Sequence, residues 1–407
     1  VTDERVAVIE NACELSEDWF LEQTAAPELR FEIDGAAVGQ EDAVRQAARV
    51  LENATAPLIY GLANSSTPGQ RAAVALADRI GAVIDTSAST CHAPSILALQ
   101  RVGESTCSLG EVRNRSDLVI FWGSNPVESH PRHLERYSGD VTGELIPHGR
   151  SDRTIVVVDV AETETSRQAD LFLQVDPGRD FEVIWALRAL ARGETPSSPT
   201  IGGVPVDVLQ DLARRMTSCR FGAAFFGLGL ARGELGHHNV EALLQLVTDL
   251  NDHTRFIARR MRNYGDVAGA DSVLCWQTGY PFSVNLLRRF PRYNPGEFSA
   301  HRLLEREEVD AALIVGADGL NKLPDRAVQT LQHIPTIFLA DAHAECPFVP
   351  TVRLTSGVYG IHDYGTAYRM DETPLPLRPL FDSEVPMDHT LIGEIIERLE
   401  PITNCRS

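Results

Sequence analysis

Leu118-Val-Ile-Phe-Trp122 runs without a polar residue and closes in Gly123-Ser-Asn-Pro126. A short, wholly apolar run rich in β-branched and aromatic residues reads as a strand buried on both faces, and the Gly-Ser-Asn-Pro turn ends it ahead of a helix. The same phrase recurs on either side. Ala56-Pro-Leu-Ile-Tyr60 ends in Gly61, with Asn64-Ser-Ser66 in the next turn; Pro68 to Ile80 then has helical periodicity, and Ala82-Val-Ile84 starts another strand. Thr154-Ile-Val-Val-Val158 ends in Asp159, and Phe221 to Phe226 ends in Gly227-Leu-Gly229 before a long helix from about His238 to Asn251. Ala311-Ala-Leu-Ile-Val315 ends in Gly316-Ala-Asp318, and Thr336-Ile-Phe-Leu339 in Ala340-Asp341. Strand, small or polar turn, helix: this alternation predicts an α/β fold with largely parallel strands, whose ligands lie at the carboxyl ends. Asp117–Pro131 and Asp310–Pro324 read as a loose repeat of acid, strand, Gly, polar turn and Pro.

The chain has 407 residues, 43% hydrophobic and 23% charged, enough for two or three domains. Its formal charge of −20 argues against a nucleic-acid backbone as partner, since that needs a positive surface. No apolar run approaches the ~20 residues that span a bilayer, and no signal-peptide pattern opens the chain at Val1, so no membrane partner is expected. Seven cysteines without framework spacing suit a reducing, cytoplasmic setting. Arg192–Gly203 and the Pro-rich Thr373–Pro379 read as surface connections within domains.

Two further stretches carry chemistry. Ser89-Thr-Cys-His-Ala-Pro-Ser95 sets a thiol beside an imidazole, which reads either as a metal-binding thiolate with a neighbouring proton donor or as inert packing. His130 and His133, at i and i+3, face together as metal ligands or serve structure; with no third ligand apparent, structure is the expectation.

Taken together, several segments resemble the B subunit of formylmethanofuran dehydrogenase, a branch of the molybdopterin oxidoreductases. They are Cys91-His-Ala-Pro-Ser95; Cys107-Ser-Leu-Gly-Glu111 with Arg113-Asn-Arg115; Trp122-Gly-Ser-Asn-Pro126 with His130-Pro-Arg-His133; and Gly149-Arg-Ser-Asp-Arg-Thr154. Further along come Phe226-Gly-Leu-Gly229, Leu250-Asn-Asp252, Met261-Arg262, Gly279-Tyr-Pro281 with Pro291-Arg-Tyr-Asn-Pro-Gly296, and Gly365-Thr-Ala-Tyr-Arg-Met370. The resemblance runs from about Asn11 to the end. It implies two interleaved doubly wound, Rossmann-like domains of the molybdopterin oxidoreductase type, without the C-terminal barrel domain. Residues 1–39 would be a remnant of the cluster-domain segment, 40–140 plus 290–407 the first domain, and 141–289 an inserted second domain.

In that family a bis-molybdopterin guanine dinucleotide carries tungsten or molybdenum. The resemblance puts a metal thiolate at Cys91, a histidine at His92 and a catalytic arginine at Arg262. Four cysteines near the amino terminus hold a [4Fe–4S] cluster, and only Cys13 stands in that region here. No cluster is therefore expected on this chain, unless a segment precedes Val1. Where the family has Asp-Pro-Arg-Lys after a strand, this chain reads Asp159-Val-Ala-Glu162-Thr-Glu164; Asp341-Ala-His-Ala-Glu345 replaces a basic turn, and Gly316-Ala-Asp-Gly-Leu-Asn321 has drifted. A like-charge contact at ~4 Å costs roughly 4 kcal/mol at an effective dielectric near 20, so these loops predict that the polyanionic cofactor is not bound and that Cys91, His92 and Arg262 line a relict pocket.

The resemblance offers two functions. The expected one is a non-redox scaffold in a formyltransferase/hydrolase complex of one-carbon metabolism, which moves a formyl group from tetrahydromethanopterin to a methanofuran-type carrier and hydrolyses it to formate. Its partners would be the A hydrolase, the C subunit and the D formyltransferase. Arg132, Arg136, Arg150 and Arg153 are then candidates for a carrier with a polyglutamate tail, or simply a solvated basic face. The alternative is the tungsten- or molybdenum-pterin catalytic subunit of formylmethanofuran dehydrogenase, interconverting carbon dioxide and formate.

Overall fold

The computed structural model describes residues 1–233, 235–262 and 265–400. Its principal strands, in chain order, are β1 (Phe31–Ile33), β2 (Ala36–Ala37), β3 (Pro57–Gly61), β4 (Val83–Thr86), β5 (Leu118–Trp122), β6 (Thr154–Asp159) and β7 (Leu171–Gln174). They continue with β8 (Phe221–Phe226), β9 (Arg255–Arg260), β10 (Val284–Asn285), β11 (Arg292–Tyr293), β12 (Ala311–Val315), β13 (Thr336–Ala340) and β14 (Val352–Thr355). The chain divides into two units: Val1–Thr90 with Tyr264–Ser407, and Cys91–Asn263.

The first unit is built on a nine-stranded sheet in the order β11-β10-β4-β3-β12-β13-β14-β1-β2. Its centre, β4-β3-β12-β13-β14, is parallel, while β10 and β1 add antiparallel edges. β3 shows why the run had to be wholly apolar. Ile59 packs into the core on one face, with Val44, Ala77 and Leu391, while Leu58 and Tyr60 pack on the other with Leu304 and Leu331. The second unit is a parallel sheet in the order β9-β8-β5-β6-β7. The helices Asp180–Ala191, Val206–Ser218 and Gly236–Leu250 contribute to its core. The α/β expectation stands, with parallel sheets at the centre of both units.

The loose repeat has a physical basis. Asp117 accepts from the backbone N–H groups of Arg220 and Phe221 at 3.1 and 3.0 Å, where β8 enters beside β5. Asp310 accepts from those of Thr55 and Ala56 at 2.7 and 2.8 Å, where β3 enters beside β12. Each acid ends the exposed backbone at the foot of a neighbouring strand.

The domain boundaries differ from those expected. The crossings fall at Thr90/Cys91 and Asn263/Tyr264, not near 140 and 290, because β5 pairs with β6 and β8 and so belongs to the second sheet. Nor is 1–39 a separate remnant: β1 and β2 extend the first sheet through β14. Thr373–Pro379 is not a plain connection either, since Pro374–Leu377 pairs with Gly365–Tyr368 as a hairpin. Among the described residues no helix is long and apolar enough to cross a membrane.

A buried carboxylate locks the first unit. Asp85, on β4, accepts from the backbone N–H of Ser283 at 2.8 Å and of Ala300 at 2.7 Å, tying two later segments to the strand. Burial pushes its carboxyl up to about 6 in spite of these donors. The folded value lies above the unfolded one, so this contribution to stability is fully present below about pH 4 and is lost as pH rises through about 6. The rise to about 6 corresponds to about 3 kcal/mol. Asp85→Asn, which cannot titrate, is expected to lack that fall between pH 4 and 6. Urea midpoints across this range check it; parallel pH profiles for the two proteins would refute it.

Candidate functional site

Open parallel sheets bind ligands where the strand order reverses, because the turns leaving adjacent strands part there. In the first unit that point lies between β3 and β12. A cavity of about 280 Å³ opens at these strand ends, lined by Asn64 after β3, Gly316 after β12, Asp341 after β13 and Ser356 after β14, with Gly265 and Asp388. Gly316 has φ +81°, and a Cβ there would stand 2.8 Å from the Asn64 side chain, whose Oδ1 accepts from the Asp318 N–H at 3.1 Å. Asp388 is fully buried; Ser65 Oγ and Tyr359 Oη both donate to it at 2.5 Å, and burial pushes its carboxyl up. The Asp318 carboxylate lies 3.8 Å from Lys322 Nζ.

In the second unit the reversal lies between β5 and β8, at Trp122-Gly-Ser-Asn-Pro126 and Phe226-Gly-Leu-Gly229. Gly123 has φ +56°, and a Cβ on it would meet Leu230 N at 2.5 Å. Gly227 and Gly229 are equally tight against Gly123, so these glycines let two turns touch. Beside them, Ser124 Oγ is buried without a hydrogen-bond partner among the described residues, as is Ser95 Oγ in the helix following Cys91-His92. A buried hydroxyl left unpaired costs about 1–3 kcal/mol, so both favour an outside partner. At the next strand end, Asp180 accepts from Trp122 Nε1 at 2.8 Å, and burial raises the carboxyls of both Asp180 and Asp159.

Cys91 and His92 open this unit at the start of the helix Ala93–Val102, the thiol half-buried and the imidazole buried. Arg262 follows β9 and is also buried. Its loop is pinned by His130, whose Nε2–H donates to the Arg262 carbonyl at 2.9 Å while Nδ1 lies 2.9 Å from the Ser129 hydroxyl, which also reaches the Asn125 carbonyl at 2.9 Å. Since a carbonyl only accepts, Nε2 carries a proton. His133 is buried against Phe225, its ring 4.7 Å away, and burial pushes its pKa down to about 3. Among the described residues no group of three or more His, Cys, Asp or Glu is arranged to hold a metal ion.

Two sequence expectations change here. The four arginines do not form one free face. Arg153 is buried and donates to the carbonyls of Gly139 and Arg113 at 2.8 and 2.7 Å. Arg132 grips Glu135 through two hydrogen bonds at 3.0 and 2.6 Å, and Arg150 pairs with Asp170 at 2.9 Å, leaving Arg136 exposed. The supposed field reversal also weakens. Glu164 is ion-paired with Arg167 across one turn, and Glu162 is exposed to solvent that screens it. Of the altered loops, Asp341-Ala-His-Ala-Glu345 places Asp341 on a ligand-sized cavity.

Sequence reading missed Arg259 and Arg260, both buried. Arg259 donates to the Cys107 carbonyl at 2.7 Å, and Arg260 pairs with Glu104 at 3.1 Å. The signal was present, since two adjacent arginines that continue the apolar run Phe256-Ile-Ala258 to the end of its strand must be satisfied internally. Cys13 lies in an amino-terminal turn of the first unit, where its hydrogen bond with the Ser16 hydroxyl lowers the thiol pKa.

A comparison with protein-family models finds no match. Among curated proteins, the chain is 41% identical over 345 residues to the B subunit of the tungsten-containing formylmethanofuran dehydrogenase 2 of Methanocaldococcus jannaschii, covering 85% of this chain and 79% of that one. It is 25% identical over 288 residues to the B subunit of the formyltransferase/hydrolase complex of Methylorubrum extorquens, covering 69% and 73%. Among solved structures, a chain of that M. extorquens complex, determined with methylofuran, superposes with a TM-score of 0.75 at 23% identity, covering 90% of this chain and 98% of that one. The structural match speaks for the fold. The sequence identities lean to the dehydrogenase side, against the expected order.

Proposed function

The chain belongs to the family of formylmethanofuran dehydrogenase B subunits, and from that premise we propose that it carries the tungsten- or molybdenum-pterin centre at which carbon dioxide and formate are interconverted. The observation that carries this reading is the 41% identity over 345 residues to a tungsten-containing relative, and the resemblance puts Cys91, His92 and Arg262 at its metal-facing positions. The donors present fit the group. Ser124 and Ser95 have buried hydroxyls that would serve phosphate oxygens, and Asp159 and Asp180 have carboxylates that would suit the N–H groups of a guanine. Cys91 supplies a soft sulfur ligand. When bound, the metal would supply two-electron redox chemistry. The chain's own share would be to orient: His92, next to Cys91 in the chain, would serve as a proton carrier, and Arg262, whose backbone carbonyl is held by His130, would offer a cation to a carboxylate substrate. Assembly with other subunits and exchange of the formyl unit on a methanofuran-type carrier belong to the same reading.

One observation favours the scaffold reading instead. Asp341 lines the first unit's cavity, where its carboxylate would repel a diphosphate. Elemental analysis of the purified complex separates the two. About one tungsten or molybdenum per chain is expected, and a content below a tenth of that would transfer the assignment to a metal-free scaffold.

A further inference from the structure

In the first unit, β10 and β11 form a hairpin on the outer edge of the nine-stranded sheet, joined by Leu286-Leu-Arg-Arg-Phe-Pro291. The base of this hairpin is rigid. Tyr280 and Tyr293 stack at 5.0 Å with an interplanar angle of 9°, Phe282 meets Tyr293 edge-on at 5.7 Å, and the Arg292 guanidinium lies 5.0 Å from the Phe298 ring. The tip is set as firmly. Leu287 N–H donates to Asn285 Oδ1 at 3.0 Å, and Arg289 N–H donates to the Leu286 carbonyl at 2.8 Å. Arg289 itself sits at φ +62°, a left-handed conformation that Gly would adopt without strain, and Pro291 restricts Phe290 to extended backbone.

This fixed tip presents what a folded chain ordinarily hides. Leu287 is 57% exposed and Phe290 54% exposed, and between them Arg288 and Arg289 are both exposed. Among the described residues neither arginine makes an ion pair, although the chain carries 57 acidic residues against 37 basic ones. An exposed aromatic and an exposed Leu bracketing two free arginines, on a backbone that loses little entropy on binding, have the make-up of an interface anchor.

We propose that the Leu287–Phe290 tip docks into another protein subunit, one that offers an apolar recess with an acidic rim. The chemistry selects a protein. Two arginines draw an anionic membrane only weakly, while the net charge of −20 repels both lipid headgroups and nucleic acid. An acidic subunit meets the tip locally and needs no neutralisation of the rest of the chain. The proposal rests on the assembly reading above.

The test uses the complex purified with this chain. R288E/R289E is expected to lower at least twofold the salt concentration at which one subunit dissociates. F290A is expected to weaken the same association about tenfold at every salt concentration, because its contribution is apolar. A benzophenone side chain in place of Leu287 should cross-link to an acidic segment of that subunit. A complex indifferent to both substitutions overturns the proposal alone, as does cross-linking to a second copy of this chain. Arginine-dependent binding of the complex to phosphatidylserine vesicles, with assembly unchanged, overturns it in favour of a membrane. A wild-type chain that purifies without partners overturns the assembly reading together with this one.

Discussion

Replacing Cys91 by Ser is expected to lower formate–carbon dioxide interconversion at least a hundredfold, a barrier increase of about 2.7 kcal/mol or more. The substitution changes one atom and barely alters volume, so packing around the half-buried side chain at the start of Ala93–Val102 is retained. What changes is the ligand. A thiolate is soft and present at useful concentration near neutral pH, whereas a Ser hydroxyl stays protonated and binds a soft metal poorly. The rate should be measured on the assembled complex, beside its metal content and subunit composition. A rate within twofold of wild type, about 0.4 kcal/mol, would show that Cys91 is not a ligand of the reacting centre.

Glu104→Ala is expected to destabilise the second unit by about 3–5 kcal/mol. Its side chain is 8% exposed and that of Arg260 is 5% exposed, so the pair has little access to water. Removing the carboxylate leaves the Arg260 guanidinium buried without this counter-ion, and the loss greatly exceeds that of an exposed pair such as Arg45–Glu41. Urea unfolding, followed by a probe in the second unit, reads the change. A loss below about 1 kcal/mol would mean that water reaches Arg260 and carries its charge.

The strands were legible in outline because each is a local apolar run ended by turn chemistry. Leu118–Trp122, Phe221–Phe226 and Ala311–Val315 lie where the sequence predicts them, and the long helix begins at Gly236 instead of His238. Partner choice was not legible. Nothing within Leu118–Trp122 says that it pairs with Phe221–Phe226 a hundred residues later, so the domain boundary was misplaced. Side-chain direction was equally hidden. Glu162 and Glu164 looked as if they faced phosphates, and Arg153 as if it faced a carrier, because sequence reports charge but not which carbonyl or counter-ion takes it up. The buried carboxylates Asp85 and Asp388 escaped for the same reason, since both are held by donors far along the chain. Cys91, His92 and Arg262 were singled out through motifs; the hydrogen bond from His130 to the Arg262 carbonyl needed coordinates.

The order in which the strands pair has a consequence for biosynthesis. β3 and β4 leave the ribosome early, yet β10, which covers one side of β4, and β12, which covers one side of β3, come only after the whole of Cys91–Asn263. The inserted unit can therefore close on the nascent chain while Leu58, Ile59 and Tyr60 still wait on an open strand edge. Such an edge invites pairing with other chains. Translation that pauses between residues 264 and 311 holds the protein in that state, and a chaperone acting there would shield the first unit while the second is already folded.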